Sequence, residues 1–284
     1  MDKANIRLSW DHEGVDPSDL RRLCGVAGIA MPEPFARDDA AKLFGPGSFG
    51  MFAFSGDALV GLARAFNDTL ATTWLADLAV DPGWRDQGVD RLLLEHINDR
   101  FRRTALYCAS PVEMVDFFRD AGIRPKAKLV ACRRPPGPAA KEPGELPGVV
   151  TGDAPARYKA ADFDAVFESV GFGMADGETA RDPMYRQFFG AGTSSFFAET
   201  TEGRLVGLVR VFSDDLTKCY VAEICVHPEW QRRGIARALV DRVVARFSHT
   251  AIWTEAFPDA VRLLASCGIV PDADFVGCSR APLE

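Results

Sequence analysis

The stretch Gln231-Arg232-Arg233-Gly234-Ile235-Ala236-Arg237 places arginines around a glycine at the point where a helix begins. The first N–H groups of a helix have no partner inside it, and the helix dipole adds positive potential there. Gly234 has no side chain to hold a ligand away, so the loop is an anion cradle whose charge suits a pyrophosphate. A second group able to do chemistry lies just upstream: Glu223, an acid inside the apolar run from Tyr220 to Val226. A charge in such a strand needs a partner or a task. It faces solvent, pairs with an arginine such as Arg210, or serves as a general base. Cys219 and Cys225 have no histidine at triad-like spacing, and their apolar neighbours make them packing thiols.

The elements that must position these groups are legible on either side. Tyr220 to Val226 suits a buried strand, which Pro228 ends because it has no N–H for a ladder. After Gly234, the apolar residues Ile235, Leu239, Val243 and Phe247 recur every four positions, the pattern of an amphipathic helix. Strand, V-x-P-x-x-Q-R-R-G-I-A and helix together resemble the acetyl-CoA motif, Q/R-x-x-G-x-G/A, of the GNAT N-acetyltransferase superfamily. The resemblance implies that Ile224, Cys225 and Val226 pair with the pantetheine arm of the cosubstrate acetyl-CoA. It implies that Gln231, Arg232, Arg233, Gly234, Ile235, Ala236 and Arg237 hold its pyrophosphate, and that Glu223 stands where many members place a general base. The tyrosine that members commonly carry four residues before the glycine of the last helix is here Leu264, before Gly268. An acid must then come from Tyr220, Tyr185, Cys267 or Ser266, or catalysis relies on proximity, oxyanion binding and water, or the protein binds CoA without turnover.

The chain repeats itself. LVGLARAFNDTL at 59–70 returns as LVGLVRVFSDDL at 205–216, and Gly61, Trp84, Gly88, Gly122 and Cys132 recur as Gly207, Trp230, Gly234, Gly268 and Cys278 at a constant offset of 146 residues. The first copy reads as a strand at 4–10, a helix after Asp16-Pro17, a second helix at 36–43, and strands at 49–54, 59–66 and 74–80. The expected fold is α/β (α+β), two tandem GNAT folds, each a mixed, mostly antiparallel sheet flanked by helices, packed as a pseudo-dimer. This resembles the tandem architecture of the mycothiol synthase acetyltransferases. Residues 1–136 and 148–284 are the expected domains. Residues 133–148 hold five prolines and three glycines, and 137–147 serve as the linker.

The copies are not equivalent. The first cradle reads Arg85-Asp86-Gln87-Gly88-Val89-Asp90, with acids where the second has Arg232 and Ala236. A carboxylate in the first turn itself satisfies the helix amides, and it opposes a phosphate by about 1 kcal/mol per charge pair at about 4 Å in water. The first copy is therefore expected to fold without binding CoA. Asp77 is the counterpart of Glu223 in that half. Arg210 with Asp214, and Arg64 with Asp68, are expected to pair within each copy.

Composition narrows the partners. With 47% hydrophobic and 26% charged residues among 284, the chain has enough apolar content for packed cores. The net charge of −7 argues against nonspecific nucleic-acid binding and favours a neutral or cationic substrate. Seven cysteines without a C-x-x-C pair indicate reduced thiols, and four scattered histidines give no metal-ligand spacing. No stretch suits a signal peptide or a membrane span, so a cytoplasmic protein is expected. The function these features imply is an acetyl-CoA-dependent N-acetyltransferase for a small-molecule amine. Its acceptor site is expected in the Gly-, Phe- and Met-rich region 171–192. A CoA-binding sensor is the alternative, or an acyltransferase using a protein amino terminus or a longer acyl donor.

Overall fold

The computed structural model describes residues 6–138, 140, 144–172 and 181–283. It contains two compact units that are not continuous in sequence: residues 1–129 with 214–218 and 274–284 form unit 1, and 130–213 with 219–273 form unit 2. Parts of the expected linker (139 and 141–143) and of the expected acceptor region (173–180) lie outside the described residues.

Unit 1 begins with β1 (Ile6–Ser9), α1 (Pro17–Val26), α2 (Arg37–Leu43), β2 (Ser48–Ser55), β3 (Ala58–Asn67) and β4 (Thr72–Val80). It continues with α3 (Val89–Arg100), β5 (Ala105–Pro111), α4 (Val115–Asp120) and β6 (Arg124–Pro125). Unit 2 runs through β7 (Val130–Arg134), β8 (Val149–Gly152), α5 (Ala160–Ser169), α6 (Arg181–Phe188), β9 (Thr193–Thr200), β10 (Leu205–Ser213) and β11 (Lys218–Val226). It closes with α7 (Ile235–Phe247), β12 (Ala251–Ala256), α8 (Pro258–Ser266) and β13 (Val270–Pro271), and the chain ends on β14 (Phe275–Arg280).

Among the described residues each unit has a seven-stranded sheet, ordered β1-β2-β3-β4-β5-β14-β6 in unit 1 and β13-β7-β12-β11-β10-β9-β8 in unit 2. The final strands are exchanged: β7, from the first sequence copy, pairs with β12 in unit 2, and β14, from the second, pairs with β5 in unit 1. Each exchanged strand carries an arginine that closes a helix. Arg280 donates to the carbonyls of Phe101, Arg102 and Thr104 beyond the end of α3, and Arg134 donates to Ser248 O beyond α7. Both put a cation at the negative end of a helix dipole.

Most pairings are antiparallel; β4 and β5 are parallel and share register only over Thr72–Trp74 and Ala105–Tyr107. The four-residue periodicity of the long helices is the packing face: Ile235, Leu239, Val243 and Phe247 are each at most 1% exposed and pack with Val209, Val211 and Val221 of the sheet. In unit 1, Val89, Leu93 and Ile97 do the same against Met51, Ala63 and Leu75. The opposite face of the unit 2 sheet is covered by aromatics of α5 and α6, where Phe163, Phe188 and Phe189 meet Phe197 or one another.

Both central hairpins contain a bulge at the same place. Arg64 pairs in register with Asp77 but Ala65 with Leu75, leaving Ala76 as the extra residue of β4. Arg210 pairs with Glu223 but Val211 with Val221, leaving Ala222 as the extra residue of β11. A bulge takes one residue's backbone out of the ladder and re-aims its neighbours.

Candidate active site

The cradle of unit 2 opens between the end of β11, the loop after it, and the first turns of α7 and α8. A short 3-10 turn occupies Pro228–Trp230 and then stops, with Gln231 extended at φ −64 and ψ 159. Arg232 is left-handed at φ 61 and Gly234 at φ 84. Left-handed backbone on either side of Arg233 is a feature from which anion-binding nests are built. Gln231 Nε2 donates to Val226 O at 3.0 Å, fixing the loop to the strand end.

A cleft of about 460 Å³ is lined by Ile224, Val226, Gln231, Arg232, Gly234, Ile235, Ala236 and Arg237. Eight of the ten residues expected from the sequence to contact a cofactor thus share one cavity. The other two do not line it. Arg233 lies over the ring of Trp230, its guanidinium carbon 4.6 Å from the centroid. Cys225 alternates with Ile224 and Val226 and is buried, where burial and then Glu223 push its thiol up to about 12. Its backbone can still form part of the strand edge. Trp230, Asp259, Ala260 and Leu263 complete the lining. These were not anticipated; Phe257-Pro258, an apolar residue before a proline at a helix start, was the available signal. Arg237 is braced by Asp241 at 3.4 Å and by Ser266 O. Leu146 stands on one side of Gly234, its Cδ2 3.4 Å from where a β-carbon would lie.

Glu223 takes the arginine alternative. Its two oxygens accept from Arg210 Nε and Nη2, both at 2.7 Å, in a buried bidentate pair. Arg210 also lies over the ring of Phe188 of α6, at 3.6 Å from the centroid. Ser195 stands opposite Arg210 on β9, and its buried Oγ has no hydrogen-bond partner among the described residues. One strand further, Tyr220 donates to Glu255 Oε2 of β12 at 2.8 Å. Unit 1 has Trp74 and Ala109 at the matching sequence positions. The remaining acid candidates are differently placed. Tyr185 donates to Asp164. Cys267 is pushed up to about 11 by burial and by Asp241. Ser266 Oγ donates to Leu263 O within α8. Leu264 is core, 1% exposed.

In unit 1 the same loop is wound shut. Its 3-10 turn spans Pro82–Gln87 and closes with Gly88 N donating to Arg85 O. Asp90 Oδ1 accepts from Arg91 N at 2.8 Å, so a carboxylate already serves an amide of the first turn. The charge pairs also differ from the pairing expected within each copy. Arg64 binds Asp77 and, instead of Asp68, Asp214 of the second copy's hairpin. Asp68 uses Oδ1 to accept the amides of Leu70, Ala71 and Thr72. Lys218 joins the cluster, its Nζ donating to Asp77 Oδ1 at 2.5 Å and to Ala76 O. Burial pushes the Asp77 carboxyl up, but Lys218 and Arg64 outweigh it and hold it down at about 2.

The profile of the Acetyltransferase (GNAT) family matches residues 19–122 and again 164–269. The chain belongs to this family. It is a tandem GNAT protein, with one family match in each sequence copy. Among solved structures it is similar to a tandem GNAT protein from the clavulanic acid biosynthesis pathway, at 17% identity and a TM-score of 0.58, over 97% of this chain and 98% of that one. It is similar also to a GCN5-related N-acetyltransferase from Sphaerobacter thermophilus, at 14% identity and TM-score 0.58, over 100% and 97%. A putative acetyltransferase from Pyrococcus horikoshii matches at 12% identity and TM-score 0.56, over 97% and 89%. At these identities the structural likeness speaks for the fold. No curated protein sequence matches. Among the described residues of this GNAT protein no helix is long and apolar enough to cross a membrane, and no cluster of three metal-capable side chains occurs.

Proposed function

We propose that this GNAT protein is an acetyl-CoA-dependent N-acetyltransferase for a small amine, with the cosubstrate held by unit 2. The observation that carries the proposal is the cleft itself. Ile224, Val226, Gln231, Arg232 and Gly234 to Arg237 line one cavity, with left-handed backbone on either side of Arg233. Arg232 and Arg237 supply charge for a pyrophosphate, and the backbone of Ile224, Cys225 and Val226 is assigned the hydrogen bonds to an amide-bearing arm. In unit 1, the wound loop and Asp90 speak against a second cosubstrate site.

Acetyl-CoA supplies an activated carbonyl: the amine nitrogen bonds to it, the carbon–sulfur bond breaks, one proton leaves nitrogen and one arrives at sulfur. Besides its pair with Arg210, each Glu223 oxygen keeps a second lone pair, and with one of these it meets the amine and takes its proton. Tyr220, hydrogen-bonded to Glu255, is the hydroxyl that returns a proton, replacing the tyrosine that Leu264 displaces. A cytoplasmic location, with a small-molecule amine rather than a nucleic acid or a membrane as partner, is part of this proposal. Thiol release from acetyl-CoA across a panel of amines, in wild type and Glu223→Gln, tests the reading. Turnover that falls in the variant supports it, whereas tight CoA binding with no turnover for any amine leaves a CoA-binding protein.

A further inference from the structure

Across the ladder between β5 and β14, Cys108 stands directly opposite Cys278. Directly opposed residues share a face of the sheet, and both thiols lie in the unit 1 core with Leu94 and Ile97 of α3 and Phe118 of α4, 2% and 0% exposed. Among the described residues no other two cysteines face each other in a ladder. Cys132 stands opposite Thr254, Cys219 opposite Ser213 and Cys225 opposite Leu208, while Cys24 is in α1 and Cys267 caps α8.

The ladder sets the spacing. Val112 N donates to Asp274 O at 3.0 Å. Hydrogen-bonded pairs recur at every second residue, so Cys108 and Cys278 form one too, with Cα atoms about 5.5 Å apart. A disulfide spans about 4.4–6.8 Å between Cα atoms, so the strands need not separate to accept one. The β-carbons of such a pair lie about 5 Å apart and must draw in to about 4 Å, which leaves the bond strained and readily reduced. Unit 2 carries the natural control. Cys132 and Thr254 occupy the same places in its β7–β12 ladder, 146 residues from Cys278 and Cys108, and the Thr254 hydroxyl donates to Val221 O at 3.0 Å. One unit has the thiol pair, and the other has half of it.

We infer that Cys108 and Cys278 are a redox-modification site, a reversible disulfide that fastens the exchanged strand β14 to the sheet of unit 1. The oxidant is a small disulfide of the glutathione class. One thiolate of the pair attacks a sulfur of that disulfide and expels one thiol. The second thiolate attacks the resulting mixed disulfide, forms the Sγ–Sγ bond and expels the other. The two cysteines lose two electrons, the small disulfide is reduced to two thiols, and the cysteine protons end on them. In a reducing cytoplasm the pair stays open, and it closes when the thiol pool is oxidised. Because both thiols are buried, attack waits for β14 to open locally, so closure follows that opening equilibrium. The pair belongs to unit 1 and the cosubstrate cleft to unit 2, so closure neither needs nor tests the transferase reading.

The test incubates the full chain with glutathione disulfide just below its melting temperature, where β14 opens, and then counts thiols in denaturant. The expected result is a fall from seven thiols to five, with unreduced peptide maps joining the Cys108 and Cys278 peptides alone. The oxidised chain is expected to melt about 5–10 °C above the reduced one, and dithiothreitol to reverse both changes. Cys108→Thr, which copies the Thr254 and Cys132 arrangement of unit 2, is expected to keep its remaining thiols and to show no oxidation-dependent shift in Tm. A wild-type count that stays at seven overturns the inference. So does glutathione held as a mixed disulfide without the cross-link, or bridges spread over other cysteines. These wild-type outcomes need no variant to fold.

Discussion

Gly234→Ala and Gly88→Ala form a matched pair that separates backbone strain from ligand approach. Both glycines are left-handed, at φ 84 and φ 75. An L-residue in that region costs about 1–2 kcal/mol, so each substitution is expected to lower Tm by about 2–8 °C for a unit of this size. Sterics do not distinguish them strongly: a β-carbon at Gly88 meets nothing within 4 Å, and one at Gly234 makes only ordinary contact with Leu146 Cδ2 at 3.4 Å. Ligand binding should distinguish them. Gly234 lines the cleft, and a methyl group there is expected to hold a phosphate off the loop amides; loss of one or two charged hydrogen bonds weakens binding about 10- to 100-fold. At Gly88 the loop is already wound shut, so CoA affinity should not change. Isothermal titration with CoA and a melting curve for each variant provide the readouts. Equal weakening by both substitutions, or none by Gly234→Ala at unchanged fold, refutes the reasoning.

Other consequences follow from single contacts. Asp77 is held below its unfolded value, so its contribution to stability is present above about pH 4 and is lost as pH falls toward about 2. Melting temperatures across that window should fall for wild type, while Asp77→Asn should start about 2 kcal/mol less stable at pH 7 and lose less on acidification. Arg280→Ala removes donors from three carbonyls at the end of α3 and should destabilise unit 1 by about 2 kcal/mol, read by hydrogen exchange of α3 and β5 amides, with α7 unaffected. Tyr220→Phe should lower kcat about 100-fold with little change in KM, and a KM effect alone would remove its assigned part in proton transfer.

The parts of the fold set by local pattern were legible in advance. α3 and α7 follow from four-residue periodicity, α1 from Asp16-Pro17, and the hairpins from strand, turn and strand. The exchange of β7 and β14 was not legible. Both strands descend from the same repeat position, so their side-chain patterns suit either sheet, and only three-dimensional pairing shows which one each completes. The bulges at Ala76 and Ala222 were hidden for a related reason: alanine has no turn signature, and only register reveals the extra residue. Arg64 was expected to find its own copy's Asp68 because sequence nearness favours local partners; Asp214 takes that place through the second copy's hairpin. The cradle was the opposite case, since loop chemistry at a helix start is local, and eight of its ten expected residues line one cleft.

The most direct test of the central claim is the stoichiometry of CoA binding to the full chain, measured by calorimetry in wild type and in Gly234→Ala. One site per chain, weakened by the substitution in unit 2, is the expected result. Two equal sites, or a single site indifferent to Gly234 but lost in Gly88→Ala, would contradict the account.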